Sequence, residues 1–221
     1  MDLEHVLQAI SVAAIPVLLA VTLHEVAHGR AALYFGDKTA STLGRLSLNP
    51  LKHVDPIGTV LVPLVLLLAH SPFLFGWAKP VPVDARNLRH PKRDMAWVAA
   101  AGPAANLVMA CGWTILGGIG AAGLLGHGTI AFWLVGMAIV GLGFNVLLAV
   151  FNMIPIPPLD GGRVLVGLLP MGPARMLARL EPYGIWILIA LLYLNSRVHV
   201  LDALLAPVAD GLIGLIKRLF T

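Results

Sequence analysis

"VTLHEVAHGRAAL", residues 21–33, sets two histidines, a glutamate and an arginine into a run otherwise as apolar as any membrane helix. A charged side chain near the centre of such a helix costs at least ~2.5 kcal/mol on insertion scales. The apolar background decides the fold class. The polar interruption decides where chemistry is to be sought.

The rest of the chain shares that background. Its 221 residues are 58% hydrophobic and only 12% charged, with a mean hydropathy of +0.88. Soluble domains carry roughly twice that charge fraction. The composition predicts an all-α polytopic membrane protein, a single domain over residues 1–221, with about five to six transmembrane or re-entrant segments of ~20 residues each. Candidate segments are 5–32, 57–75, 95–124, 129–152, 181–196 and 199–219. The start carries Asp2 and Glu4 where a secretory signal has basic residues, so it reads as a retained helix. Cys111 is the single cysteine, which excludes an internal disulfide and a cysteine metal site. The net charge of +4 and pI near 9.6 fit loops beside an anionic membrane, and no nucleic-acid motif is present.

Two polar stretches interrupt the apolar pattern, 36–56 ("GDKTASTLGRLSLNPLKHVDP") and 76–94 ("GWAKPVPVDARNLRHPKRD"). Short Thr/Val/Leu pieces broken by Gly and Pro predict small β-hairpin pieces or loops there, near the cytoplasmic face. Charge sets the topology. If 57–75 dips in and returns around Pro63 and Pro72, every one of the 15 Lys and Arg residues except Arg197 lies on the cytoplasmic side. A full crossing by 57–75 would move five of them to the other face.

His24-Glu25-Val26-Ala27-His28 is an H-E-x-x-H sequence. On a helix, positions i and i+4 share a face one turn apart, so both imidazoles can reach one metal ion. Catalytic zinc takes three protein ligands and leaves a position for water, and Glu25, beside the first histidine, can accept that water's proton. The plainer reading is a hydrogen-bonded core cluster, but three ionisable groups in one membrane helix need a stronger reason. Among the few acids, Asp160 stands apart. It lies in "FNMIPIPPLDGGRVLVGLLP", where Pro155, Pro157 and Pro158 forbid regular helix and Gly161-Gly162 let the backbone turn. An extended segment at membrane depth persists only when buried in protein or lining a wet cavity. A carboxylate ligand is wanted in such a place. Asp160 also suits an N-cap before a helix over 161–170, and the two roles are compatible.

"HEVAH" followed by "NMIPIPPLDGG" resembles the site-2 protease family of intramembrane zinc metalloproteases. The family pattern N-x-x-P-x-x-x-L-D-G is matched by Asn152, Pro155, Leu159, Asp160 and Gly161, and its G-x-x-x-N by Gly102 and Asn106. The stretch "GWAKPVPVDARNLRHPKRDMA" is similar to the family's cytoplasmic-side hairpin. The resemblance spans roughly residues 10 to 196. It implies one zinc ion (Zn2+) per chain held by His24, His28 and Asp160, with Glu25 as general base. It also implies that Asn152 hydrogen-bonds the substrate carbonyl or oxyanion; the bland alternative for Asn152 is a helix C-cap. Asn106 is read as a structural helix–helix hydrogen bond. PDZ and nucleotide-sensing modules of many relatives have no counterpart here, which leaves gating to the chain's own loops or to a regulatory membrane partner.

The implied substrates are single-span membrane proteins, cut within a lipid bilayer of a prokaryotic cell membrane with the active site nearer the cytoplasm. Stretches 36–50 and 76–84 are candidate strand edges for holding an unwound substrate. A non-catalytic zinc-containing scaffold or ion pathway would use the same ligands, but would have no need of Glu25. His53, His70, His90, His127 and His199 lack ligand spacing and read as loop or interface residues. Trp77, Trp97, Trp113, Trp133 and Trp186 read as interfacial anchors, and Gly117, Gly118, Gly120 and Gly123 as close helix packing.

Overall fold

The computed structural model describes residues 3–71, 76–124, 126 and 128–220. Helix α1 (Leu3–Tyr34) is followed by a one-turn α2 (Thr39–Thr42), a 3-10 turn (Pro50–His53), a π turn (Pro56–Leu61) and α3 (Val62–Leu68). A 3-10 turn at Ala85–Asn87 leads into α4 (Pro91–Ala121) and α5 (Thr129–Asn152). The chain ends in α6 (Asp160–Leu168), α7 (Met171–Ala178), a 3-10 turn (Glu181–Tyr183), α8 (Gly184–Val198) and α9 (Val200–Phe220).

Among the described residues, four stretches are long and apolar enough to cross a membrane: Leu7–Tyr34, Pro91–Ala121, Thr129–Asn152 and Met171–Val198. That corrects the expected five to six segments. The 199–219 segment is helical but amphipathic. Asp202, Asp210, Lys217 and Arg218 lower its hydropathy, while Leu205, Ala209, Leu212 and Ile213 pack on a core of Ala110, Leu142, Val146 and Val150 from α4 and α5. Helices α1, α4 and α5 pack mutually. Small residues set the α4–α5 approach. A Cβ at Gly117 would fall 2.8 Å from Ala138, and one at Gly120 would fall 2.9 Å from Leu134. Gly118 has open space, and Gly123, at φ +68°, closes the helix end instead. Trp113 is no interfacial anchor: its ring fills the space a Cβ at Gly141 would need, in the middle of the α4–α5 seam. Leu64, Leu68, Val108, Ile139 and Trp186 are exposed around the periphery, as lipid-facing residues are.

The described flanks of the 57–75 segment are tied to each other. The Trp77 amide donates to Gly58 O at 3.1 Å, the Thr59 hydroxyl donates to Trp77 O at 2.8 Å, and the Lys79 amide donates to His53 O at 2.8 Å. Its helical part, six residues of π turn and seven of α-helix, is shorter than the ~20 residues a crossing needs. The expected turn at Pro72 lies outside the described residues, as does His127.

No strand occurs among the described residues, so the expected β-hairpin pieces are irregular loops. The reason lies in the donors. Pro80 and Pro82 have no N–H, and the Lys79 and Val81 amides are engaged by His53 O and Glu25. Side chains brace these loops in place of a ladder. The Arg45 guanidinium donates to Lys52 O at 2.6 Å, Lys79 O at 3.0 Å and Pro80 O at 3.2 Å. The fully buried Asp37 carboxylate accepts from the Thr39 amide at 2.9 Å and its hydroxyl, from the Asp84 amide at 2.7 Å and from Asn87 Nδ2 at 3.1 Å. Burial pushes the Asp37 carboxyl up, yet the donors from Thr39, Asp84 and Asn87 outweigh it and hold the group below its ordinary range.

The same bracing makes a topological prediction. The Arg89 amide donates to Phe35 O at 3.1 Å, which ties the loop after α1 to the loop before α4. Cysteines placed at Lys38 and Arg89, with Cys111 replaced by alanine, should be labelled by a membrane-impermeant maleimide from the same side. Labelling from opposite sides would show that the chain crosses the membrane between them.

Candidate metal centre and active site

Helix α1 delivers His24, Glu25 and His28 one turn apart, and α6 brings Asp160 to meet them. The Nε2 atoms of His24 and His28 lie 3.1 Å apart, and Asp160 Oδ2 lies 3.3 Å from the first and 3.4 Å from the second. The three donor atoms fall within 4.8 Å of one another. This is the group that the sequence singled out, drawn from positions more than 130 residues apart in the chain, counting from His28 to Asp160.

Glycine makes the meeting possible. A Cβ at Gly102 of α4 would lie 2.6 Å from His24 Cε1 and nearer still to the His28 ring. The reading of Gly161-Gly162 as a free turn is corrected: both are helical, with no positive φ. They are glycines because the 153–157 turn runs across them. A Cβ at Gly161 would lie 2.6 Å from Ile154 O, and one at Gly162 would lie 2.7 Å from Pro157 Cδ. Asp160 is accordingly not the N-cap, a position held by Leu159 in extended conformation. It is the first residue of α6, and its negative charge sits favourably at the helix N-terminus.

The chemistry of the donor set fits a divalent metal. His28 Nδ1 lies 2.7 Å from Val98 O, which can only accept, so Nδ1 carries a proton and, in the neutral imidazole, Nε2 is a lone pair. Asp160 Oδ2 is buried and has no hydrogen-bond partner. Its approaches to both imidazoles are therefore contacts between lone-pair atoms. A proton can reconcile one such pair, whereas a metal ion reconciles all three. Backbone or side-chain acceptors on the far ring nitrogen are the usual companions of metal-binding histidine. His24 has one as well, Asn106 Oδ1 at 2.6 Å from Nδ1.

Glu25 faces the same cavity, which has a volume of about 610 Å³ and also takes in Trp77, Val81 and Asn152. Its Oε2 accepts from the Val81 amide at 2.7 Å, and Arg30 is exposed instead of pairing with it. Asn152 is the last residue of α5, with Met153 as the C-cap residue, and its Nδ2 donates to Leu148 O at 2.9 Å. The C-cap reading is thus displaced by one residue. A second cavity of about 470 Å³, between α4, α6 and α7, shares Val83, Met95 and Arg163 with the first. Of the remaining histidines, His53 is buried against Ser47 O and His199 pairs with Asp202 at 2.9 Å; neither joins the cluster.

Sequence reasoning missed the Val81 amide, the Val98 carbonyl and Asn145, which accepts from Asn106. Backbone partners leave no trace in residue identity. Asn145 left one, a lone amide in the apolar run "GFNVLLAVF".

Comparison with known proteins agrees with the site. The chain is 35% identical over 207 residues to YwhC of Bacillus subtilis (strain 168), covering 93% of this chain and 91% of that protein. It is 34% identical over 181 residues to Rip2 of Mycolicibacterium smegmatis (strain ATCC 700084 / mc(2)155), covering 79% of this chain and 64% of that protein. Both are provisionally named as zinc metalloproteases. No family model matches the chain, and no solved structure does. With the H-E-x-x-H helix, the L-D-G sequence that opens α6 and a relative matched almost end to end, the chain belongs to the site-2 protease family of zinc metalloproteases.

Proposed function

We propose that the protein is an intramembrane zinc endopeptidase that cleaves the transmembrane segments of single-span membrane proteins. The observation that carries this reading is a carboxylate not needed for metal binding, Glu25, in a helix long enough to cross the membrane and beside the point where His24, His28 and, from α6, Asp160 converge. His24, His28 and Asp160 would hold one zinc ion. Zinc, when bound, supplies Lewis acidity that brings the pKa of water down to ~7 and polarises a carbonyl.

The chain's own groups do the rest. The Val81 amide fixes Glu25 through Oε2 and leaves Oε1 to take a proton from water and pass it to the leaving amine. Asn152 has two amide hydrogens, of which the bond to Leu148 O uses one, so the other is available to a substrate carbonyl. A transmembrane helix hides its carbonyls in its own hydrogen bonds and must unwind before any of this can act. The unwound piece would lie along the 77–83 stretch. Its amides at 77, 79 and 81 are engaged and positions 80 and 82 are prolines, so it has few donors to give, while the carbonyls at 77, 79 and 80, which already accept from Thr59 and Arg45, each keep a second lone pair for a substrate amide. A substrate is held there by its own amides and by side-chain packing, not as a complete added strand.

The test is cleavage of a synthetic transmembrane peptide by the purified protein in detergent. Activity should disappear with a zinc chelator and return with added zinc. Zinc bound at one per chain without cleavage of any transmembrane peptide would favour the scaffold reading. A prokaryotic cell membrane and an active site nearer the cytoplasm remain part of this proposal, resting on the clustering of Lys and Arg in the loops that flank Glu25.

A further inference from the structure

We propose that Asn106 and Asn145 act in series to fix the tautomer and orientation of His24, which makes Asn145 a positioning residue for the metal although it touches no ligand. The proposal rests on the reading of the site as a zinc centre.

The argument is a chain of hydrogen bonds with only one consistent direction. At its far end is Gly141 O, which can only accept; Asn145 Nδ2 donates to it at 2.8 Å. Asn145 must then present Oδ1 to its other neighbour, Asn106. Asn106 Nδ2 donates to that oxygen at 2.9 Å and to Ala20 O, again acceptor-only, at 3.3 Å. Both amide hydrogens of Asn106 are thereby committed, and its Oδ1 faces His24 Nδ1 at 2.6 Å. An amide oxygen has no hydrogen to give, so the proton resides on Nδ1. Nε2 is left as a lone pair, pointing at His28 Nε2 and Asp160 Oδ2.

Neither asparagine has any solvent exposure, so water cannot replace a lost partner. Three helices meet in the chain: α1 supplies Ala20 and His24, α4 supplies Asn106, and α5 supplies Gly141 and Asn145. Rotating either amide by 180° would set a hydrogen against a hydrogen at one end and an oxygen against an oxygen at the other. The network therefore specifies one tautomer of the neutral ring, the one a metal requires. A helix–helix contact alone needs only the 106–145 bond. The bond to His24 is what turns packing into positioning.

The experiment measures zinc affinity by competition with a chelator, on folded protein in detergent, alongside thermal stability. Asn106→Leu should weaken zinc by ~10–100-fold, the usual effect of losing the partner of a metal-bound histidine. Asn145→Leu should weaken it as well. The double variant should be no weaker than Asn106→Leu, because the two act in one line. Asn106→Asp keeps an acceptor for His24 Nδ1 while losing the donors to Asn145 and Ala20. It should hold zinc far better than Asn106→Leu even where its stability is lower.

Wild-type zinc affinity in folded Asn106→Leu overturns the proposal, and so does equal loss in Asn106→Leu and Asn106→Asp. Normal affinity in Asn145→Leu overturns the part given to Asn145. Should the leucine variants not fold, nitrogen NMR of metal-free wild-type protein, at a pH high enough to keep His24 neutral, decides: the ring must carry its proton at Nδ1, and a mixed tautomer sinks the idea. If the wild type binds no zinc, the zinc reading has failed and the tautomer measurement still tests the relay.

Discussion

Replacing Glu25 by glutamine is expected to leave the protein folded and loaded with zinc while lowering turnover by ~10² or more, the usual scale for a lost general base. The substitution preserves volume and keeps an oxygen for the Val81 amide, which Glu25 Oε2 now engages at 2.7 Å. His24 and His28 are untouched, so metal content should stay at one per chain. What the amide cannot do is take up the proton of water. A substrate that has unwound into the cavity should still bind, giving a long-lived complex in place of product. Zinc content and peptide cleavage are to be measured on the same purified sample. Normal zinc with normal cleavage would remove Glu25 from the mechanism. Poor folding with unchanged cleavage per folded molecule would make the Val81 contact its whole purpose.

Much of this site is legible in the sequence, and the reason is economy. A membrane helix tolerates few ionisable groups, so His24, Glu25 and His28 had to be explained. Helical periodicity alone placed both imidazoles on one face. Asp160 could be picked out because prolines on its N-terminal side and glycines on its C-terminal side announce irregular backbone at membrane depth. The role of those glycines was less legible. Gly161 and Gly162 read as hinges, whereas they are helical and make room for the backbone of Met153, Ile154 and Pro157. Close approach and conformational freedom both select glycine, and identity does not say which.

The loops were read less well for a related reason. Alternating Val and Pro in "AKPVPVD" mimics the period of a strand, but a strand needs donors on both edges and prolines remove them. The last helix misled in the opposite sense. Its average hydropathy invites a crossing, while its charges at Asp202, Asp210, Lys217 and Arg218 fit an amphipathic helix packed on α4 and α5. Asn106 in the sequence predicts a helix–helix hydrogen bond, and the bond to Asn145 is one. That the same side chain meets His24 is a fact of packing between α1 and α4, and no local pattern carries it.

Asp160→Ala is expected to weaken zinc binding by more than ~100-fold, beyond what loss of a mere partner of a ligand costs. Two imidazoles on successive turns of α1 would remain, and α6 would contribute nothing. Asp84→Ala is the control: Asp84 pairs with Arg86 at 2.7 Å in the loop before α4 and is no part of the cluster. Asp94 is a poorer control, because its carboxylate caps α4 by accepting from the His90 amide at 2.7 Å and its loss would unsettle that helix. The effect on stability should depend on the metal. In either state the substitution also removes a negative charge from the N-terminus of α6, worth ~0.3–1 kcal/mol. With zinc, the wild type gains stability in proportion to the logarithm of its affinity, and the variant should lose most of that gain. The gap between the melting temperatures of zinc-loaded and chelated protein should therefore collapse in Asp160→Ala and persist in Asp84→Ala. Stoichiometric zinc with an undiminished gap in Asp160→Ala would place the third ligand elsewhere.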